Sequence, residues 1–444
     1  MAEFDFAQIV QWLGSEMRVS GQVGGFKQNS HEVVAGDLFF ALKGEKVDGH
    51  TYLKEVAEKG AIGAVVSKDY RGEEFSLNLI RVDHVLSSLQ GLAKTVHGRR
   101  SVRVIGVTGS VGKTTTKEFI ATLLEGKFQV GKTPGNANSQ VGIPLAILNS
   151  EGNEEVFVME MGMSMPHEIE KLIDIAPPEI SIITKIALAH AAFFPDGLEG
   201  IAAAKAEILS HSTTRLAILN HQVALFPSLQ QVNCLKMTFG LEDDGKGSDF
   251  VLCRESGDFY VKEKGERTPP FALPFTASHL CENFIGAAAV ARALGMVWSE
   301  IIAQVQKLTV YKRRFERVEK EGITFINDSY NANSTSMKAA LSNLPIPAAG
   351  KKRIAVLGAM KELGAYTEQS HYEVAKIALS YIDYLLCLGE ECITMVDLFQ
   401  KEGRPVEHFL EFDSIKTRVF ELAEKGDVVL LKGSNSKKLW QILE

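Results

Sequence analysis

The run Val104–Thr116, VIGVTGSVGKTTT, constrains this chain more than any other segment. Val104 to Thr108 is short and apolar and reads as a buried strand. A glycine-rich turn follows, and then a helical pattern from Lys113 to Glu125. Glycines let the backbone curl so that several N–H groups face one point, and the helix N-terminus adds its positive end. Lys113 supplies charge for outer phosphates, and the Thr114 hydroxyl suits Mg²⁺. The usual G-x-x-x-x-G-K-[ST] spacing is not met, because position 107 is Val. Gly109, Ser110, Val111, Gly112, Lys113, Thr114 and Thr115 are the expected contacts to a nucleoside triphosphate. The motif leaves open what its hydrolysis drives.

Around this loop the chain alternates short apolar runs with helical patterns, which predicts parallel sheets covered by helices. Candidate strands are Asp37–Leu42, Ile62–Val66 and Leu79–Val82. Central ones are Val104–Thr108, Val156–Glu160, Ile180–Ile186 and Leu216–Leu219. A third group is Ile354–Leu357, Tyr384–Leu388 and Val428–Leu431. Basic stretches at 97–100 and 311–314 read as hinges. The expected plan is α/β with three domains. Residues 1–98 form a small α/β unit. Residues 99–311 form a doubly wound parallel sheet with an antiparallel excursion at 240–275. Residues 312–444 form a Rossmann-like α/β unit with a largely parallel sheet.

Composition narrows the class. With 45% hydrophobic and 23% charged residues, the chain can build a core. A net charge of −7 argues against a nucleic-acid partner. Five cysteines, none in a C-x-x-C pair, argue against a disulfide framework or structural zinc and fit a reducing cytoplasm. The start MAEFDFAQIV does not read as a signal peptide. The apolar stretch Phe284–Ile302 is broken by Arg292 and Glu300, so no membrane span is expected.

TGSVGKTTT, with TPGNANSQVGIPL at 133–145, resembles the Mur ligase family, ATP-dependent amide-bond-forming enzymes of peptidoglycan precursor synthesis. NDSYNANSTSM at 327–337 resembles the branch that adds D-alanyl-D-alanine to UDP-N-acetylmuramoyl-tripeptide. The likeness runs from DLFFALKGEKVDGH near residue 40 to VVLLKGS near 430. It implies an acyl-phosphate mechanism, ATP and Mg²⁺ as cofactors, small-molecule substrates and a monomer.

Site residues follow from the residues and the resemblance together. Glu160 ends a strand at the edge where α/β sheets place ligands, and its carboxylate suits Mg²⁺. The resemblance implies His190 as a further Mg²⁺ ligand and Lys205 as a lysine carbamylated by CO₂. It implies that Asn283, Arg314, Asp328, Tyr330 and Asn331 reach the nucleotide. Asn333 joins them or the substrate; Asn and Asp in such a segment also suit turns. Ser30, Lys43, Asp48, Gly49 and His50 are the implied uridine-diphosphate contacts, though an ordinary turn with a capping Asp explains them as well. Asn136 and Asn138 are implied at the diphosphate or acyl phosphate. Lys432, Gly433 and Ser434 are implied at the amine substrate or in closure.

The chain departs from the family pattern at Asn29, His31, Lys185, Asn327, Ala359 and Asn435. Loss of Arg at 31 and 435 removes two bidentate anion clamps. Two other readings stay open. One is a folylpolyglutamate-synthase-like ligase, although about a hundred residues precede the glycine-rich loop here. The other is a nucleotide switch or ATPase without ligation.

Overall fold

The computed structural model describes residues 4–245 and 247–444. A ribbon of β1 (Phe4–Asp5) and β2 (Gln22–Val23) precedes the first sheet. That sheet joins β3 (Gly25–Lys27), β4 (Asp37–Phe40), β5 (Gly63–Ser67) and β6 (Asn78–Val82) in sequential order, all parallel. Its middle strands are apolar on both faces: Leu38, Phe39 and Phe40 are fully buried, as two-sided parallel strands require. The helix Val85–His97 then leads to the basic stretch that ends at Arg100.

The central sheet has nine strands, in the order β15-β14-β13-β12-β11-β10-β7-β9-β8. They are β7 (Arg103–Thr108), β8 (Val130–Lys132), β9 (Val156–Glu160), β10 (Ile180–Ile183), β11 (Leu216–Asn220), β12 (Leu235–Leu241), β13 (Phe250–Glu255), β14 (Asp258–Glu263) and β15 (Glu266–Arg267). The hairpin at 250–263 is present. β14 and β15 add antiparallel, while β13 runs parallel to β12, so this antiparallel excursion extends the main sheet. Its turn is Ser256-Gly257, both at positive φ, which matches the twist of a two-residue hairpin. The helices Lys113–Leu124 and Ser278–Ala293 pack together against one face through Phe119, Ile120, Phe284 and Ala288.

The third sheet follows the order β16-β17-β21-β18-β19-β20. Its strands are β16 (Glu316–Lys320), β17 (Ile323–Asn327), β18 (Arg353–Gly358), β19 (Tyr384–Leu388), β20 (Val406–Phe409) and β21 (Val428–Lys432). All pairs are parallel except β16 with β17. No described helix is long and apolar enough to cross a membrane.

The order of the central sheet decides where a ligand can sit. β7 lies between β9 and β10, so the chain leaves its carboxyl end in one direction and returns beside it in the other. Such a switch point opens a crevice at the carboxyl edge. Register places Val107 opposite Glu160 and Thr108 opposite Ile183. Three strand ends therefore converge where the glycine-rich loop begins.

Candidate active site

The loop after β7 holds its shape through glycine. Gly109 has φ +148° and Gly112 φ +88°. A Cβ at Gly109 would fall 2.0 Å from Thr184 Oγ1, and one at Gly112 would fall 2.4 Å from Asn283 Oδ1. The loop is also pinned from outside. Ser110 N donates to Lys185 O at 2.7 Å, and Thr184 Oγ1 donates to Val111 O at 2.6 Å. The Ser110 hydroxyl meets both Ala187 O and Ala187 N. Gly112→Ala is expected to weaken ADP binding at least about ten-fold by calorimetry, because the new side chain meets both a strained φ and Asn283.

Lys113 Nζ lies back on the loop, donating to Gly109 O at 2.8 Å. Burial lowers its pKa, Glu160 opposes the shift and Arg314 adds to it. Thr114 and Glu160 are buried together, with Thr114 Oγ1 donating to Glu160 Oε2 at 2.8 Å. Asn138 Nδ2 donates to the other carboxylate oxygen at 2.7 Å. From the third module, Arg314 Nη2 donates to Thr114 Oγ1 at 3.1 Å, and its guanidinium lies 3.7 Å over the Tyr330 ring. One polar chain thus joins Arg314, the loop and β9.

His190 and Lys205 approach from the segment after β10. His190 has φ +57° and lines the same cleft. Burial lowers its pKa, while Glu362 opposes the shift. Lys205 is buried on the helix Gly197–Ala206. Burial, reinforced by the Lys113 charge, pushes its pKa well below the ordinary lysine value. Lys113, His190 and Lys205 are close enough to perturb one another.

The cleft encloses about 460 Å³, and Asn136, Asn283, Asp328, Asn331, Asn333 and Lys432 reach its wall with the loop residues Ser110 to Thr115. Several carry structural duties as well. Asn333 caps the helix Ser334–Ser342, accepting from Ser336 N at 2.8 Å. Lys432 is buried against Asp328 at 2.6 Å and also donates to Asn331 O. Gly433 packs against the Gly358 backbone, and Ser434 Oγ accepts from Lys361 N at 3.0 Å. Neither lines the cleft.

The first module has its own cavity, lined by Ser30, Lys43, Gly49 and His50. Asp48 does not line it. Its carboxylate caps the turn Gly49–Tyr52, accepting from His50 N at 3.0 Å and contacting His50 Nδ1 at 2.6 Å. Gly49 is needed for packing, since a Cβ there would meet Leu42 O at 2.7 Å. Val141 lines both this cavity and the main cleft, so the two adjoin.

Sequence reasoning missed four residues here. Lys117, buried in the loop's own helix, donates to Thr133 O and Gly135 O and so holds the segment that carries Asn136 and Asn138. Lys185 pairs with Glu282 at 3.1 Å, and Glu282 also accepts from Asn220 at 2.8 Å. His279 lines the cleft with its Nδ1 unpartnered among the described residues. The separation of 97 residues between Lys185 and Glu282 leaves no local pattern to read.

Burial takes His279 down from 6.5 to about 4. The unfolded imidazole therefore binds a proton below about pH 6.5 that the folded one refuses until about pH 4. Folding stability falls as pH drops through that window. His279→Leu is expected to flatten this acid limb by up to about 3 kcal/mol in urea titrations at pH 4 and 6.5.

Three family models match the chain in order. They are the Mur ligase family, catalytic domain, over 23–97; the Mur ligase middle domain over 107–291; and the Mur ligase, glutamate ligase domain, over 313–435. The chain belongs to the Mur ligase family. It is 33% identical over 431 residues to the UDP-N-acetylmuramoyl-tripeptide–D-alanyl-D-alanine ligase of Bacillus subtilis, covering 95% of this chain and 93% of that one. The MurF ligase of Thermotoga maritima, solved in complex with ADP, is 30% identical, with a TM-score of 0.79 over 95% of this chain and 96% of that one. Escherichia coli FolC with ADP and DHPP shares the fold alone: 18% identity and a TM-score of 0.61, over 81% of this chain and 92% of that one. The Mur ligase models extend over the first module and thereby favour the ligase with a separate N-terminal unit over the folate-type reading.

Proposed function

We propose that this Mur ligase joins D-alanyl-D-alanine to UDP-N-acetylmuramoyl-tripeptide. It would use ATP and release ADP and phosphate with UDP-muramoyl-pentapeptide. The observation that carries the reading is the 33% identity to a ligase of that name over 95% of this chain. The three modules, taken as 1–98, 99–311 and 312–444, divide the work. The first holds the uridine diphosphate, the second the triphosphate, and the third the amine and the closing contacts. The adjoining cavities at Val141 suit a long substrate whose carboxyl end enters the main cleft. The working state is a cytoplasmic monomer.

A carboxylate is a poor electrophile, and phosphorylation converts it into an acyl phosphate. The chain's residues place the partners in line and exclude water. The backbone N–H groups of 111–115 cradle phosphates, and Lys113 neutralises charge as the γ-phosphoryl moves. Arg314, stacked on Tyr330, adds a second cation from the hinge. Asn138 orients Glu160. The free amine then attacks the acyl carbon, and phosphate leaves.

The donor set fits Mg²⁺. A buried hydroxyl and carboxylate, Thr114 and Glu160, are hard oxygen donors 2.8 Å apart. They would hold the ion with His190 and the carbamate of Lys205. Bound there, it supplies Lewis-acid neutralisation of phosphate oxygens.

The test is phosphate release with the UDP-tripeptide and D-alanyl-D-alanine added separately and together. Release that requires both, with the matching mass gain in the UDP product, is expected. Release indifferent to both substrates would instead mark a nucleotide switch.

A further inference from the structure

Glu362 has no role in that scheme. It follows β18 in the third module, next to the turn Gly364–Tyr366. Its carboxylate Oε2 meets His190 Nδ1, which belongs to the central module. Its backbone carbonyl accepts from Ala192 N at 3.1 Å. A Cβ at Gly364 would come within 3.1 Å of the Ala192 backbone, and one at Gly197 within 2.9 Å of the Tyr366 hydroxyl. Segment 362–366 is therefore seated along 190–197, the stretch leading into the helix that carries Lys205.

Two features mark this contact as more than a surface ion pair. His190 and Glu362 both hold left-handed backbone conformations, φ +57° and +61°. Residues other than glycine keep such conformations where their surroundings over-determine them. Among the described residues the Glu362 carboxylate pairs with His190 alone, and the neighbouring Lys361 is taken by Glu391. An imidazole that gives its Nδ1 proton to a carboxylate has one tautomer and one ring orientation. Its Nε2 lone pair is then the nitrogen free to bind a cation.

We propose that Glu362 is a positioning residue, which holds His190 in the ligand-competent tautomer and completes the cation site only when the third module is docked. The proposal rests on the reading of His190 as a metal ligand. It makes docking of the third module a condition for tight cation binding. Arg314 on Thr114 is a second, separate crossing between the same modules.

The test uses full-length protein, ADP and Mn²⁺ as the probe, with free Mn²⁺ read by electron paramagnetic resonance. Glu362→Ala is expected to raise the Mn²⁺ dissociation constant about 10–100-fold. ADP binding without metal and the melting temperature should stay near wild type. Glu362→Gln keeps an acceptor oxygen and should recover part of the loss, which a general packing defect would not allow. His190→Ala is the reference and should weaken Mn²⁺ at least as much. Wild-type Mn²⁺ affinity in Glu362→Ala, with His190→Ala weakened, overturns the role of Glu362 and leaves His190 in place. Wild-type affinity in both variants overturns the ligand reading and the proposal with it.

Discussion

Lys113→Ala is expected to lower kcat/KM for ATP by roughly 10³-fold in the phosphate-release assay, while the protein stays folded. A preorganised group aimed at developing charge contributes about 10²–10³ in rate when it is a single neutral donor. Lys113 is a full cation in a water-poor cleft, where a charge acts more strongly than at the surface. Its Nζ rests on Gly109 O, a contact between the loop and its own helix that the fold can lose at little cost. Lys113→Arg should not restore the rate, because a planar guanidinium does not fit the space of a compact ammonium. A loss below ten-fold would remove Lys113 from the phosphate site.

The glycine-rich loop was legible because every local signal agreed. A buried strand, glycines at the two positions that need positive φ and a helix opening with Lys-Thr lie within one stretch of sequence. Strand ends were legible for the same reason: Val156–Glu160 and Tyr384–Leu388 are short apolar runs bounded by polar residues. Ile180–Ile186 was read too long, because after Ile183 the chain turns aside for Thr184 to bind the loop. Among the strands that escaped, β8, β16 and β20 are sheet edges, while β12 lies inside the central sheet. Lys, Glu, Arg and His interrupt these strands, and no clean apolar alternation stands out.

The missed side chains fail for another reason. Lys117 reads as a solvated helix lysine, yet it is wholly buried, because two carbonyls of the 133–135 turn replace its water. Lys185 is one of the departures from the family pattern. The structure pairs it with Glu282, so the exchange carries its compensation on a distant helix. The departure at His31 has no such partner of strength: its ring is 81% exposed, 3.5 Å from Glu55. Asn327 is explained as a buried donor to Glu316 at 3.2 Å. Asp48 and Asn333 both serve as caps, the ordinary alternative for Asp and Asn before a turn or helix, and Asn333 also reaches the cleft wall.

Lys205→Met is expected to separate stability from activity. The folded pKa of Lys205 lies well below 10.5, with burial first and Lys113 second among its causes. Between that lowered value and the unfolded one, the unfolded chain binds a proton that the folded chain does not. Stability therefore rises with pH across this range, and at neutral pH the buried amine is a burden. In CO₂-free buffer Lys205→Met removes the burden and should raise the melting temperature. A lowered pKa favours the uncharged amine, which is a nucleophile. Its lone pair can form an N–C bond to CO₂, the proton leaving to solvent and a carbamate anion remaining. That anion beside Lys113 relieves the repulsion that lowered the pKa. With ¹³C-bicarbonate, a carbamate resonance should appear in the wild type and be absent from the variant. Loss of a charged ligand should lower kcat by about 10²-fold or more. A variant that keeps wild-type kcat, with no carbamate signal in the parent, would reduce Lys205 to a buried lysine tolerated for packing alone.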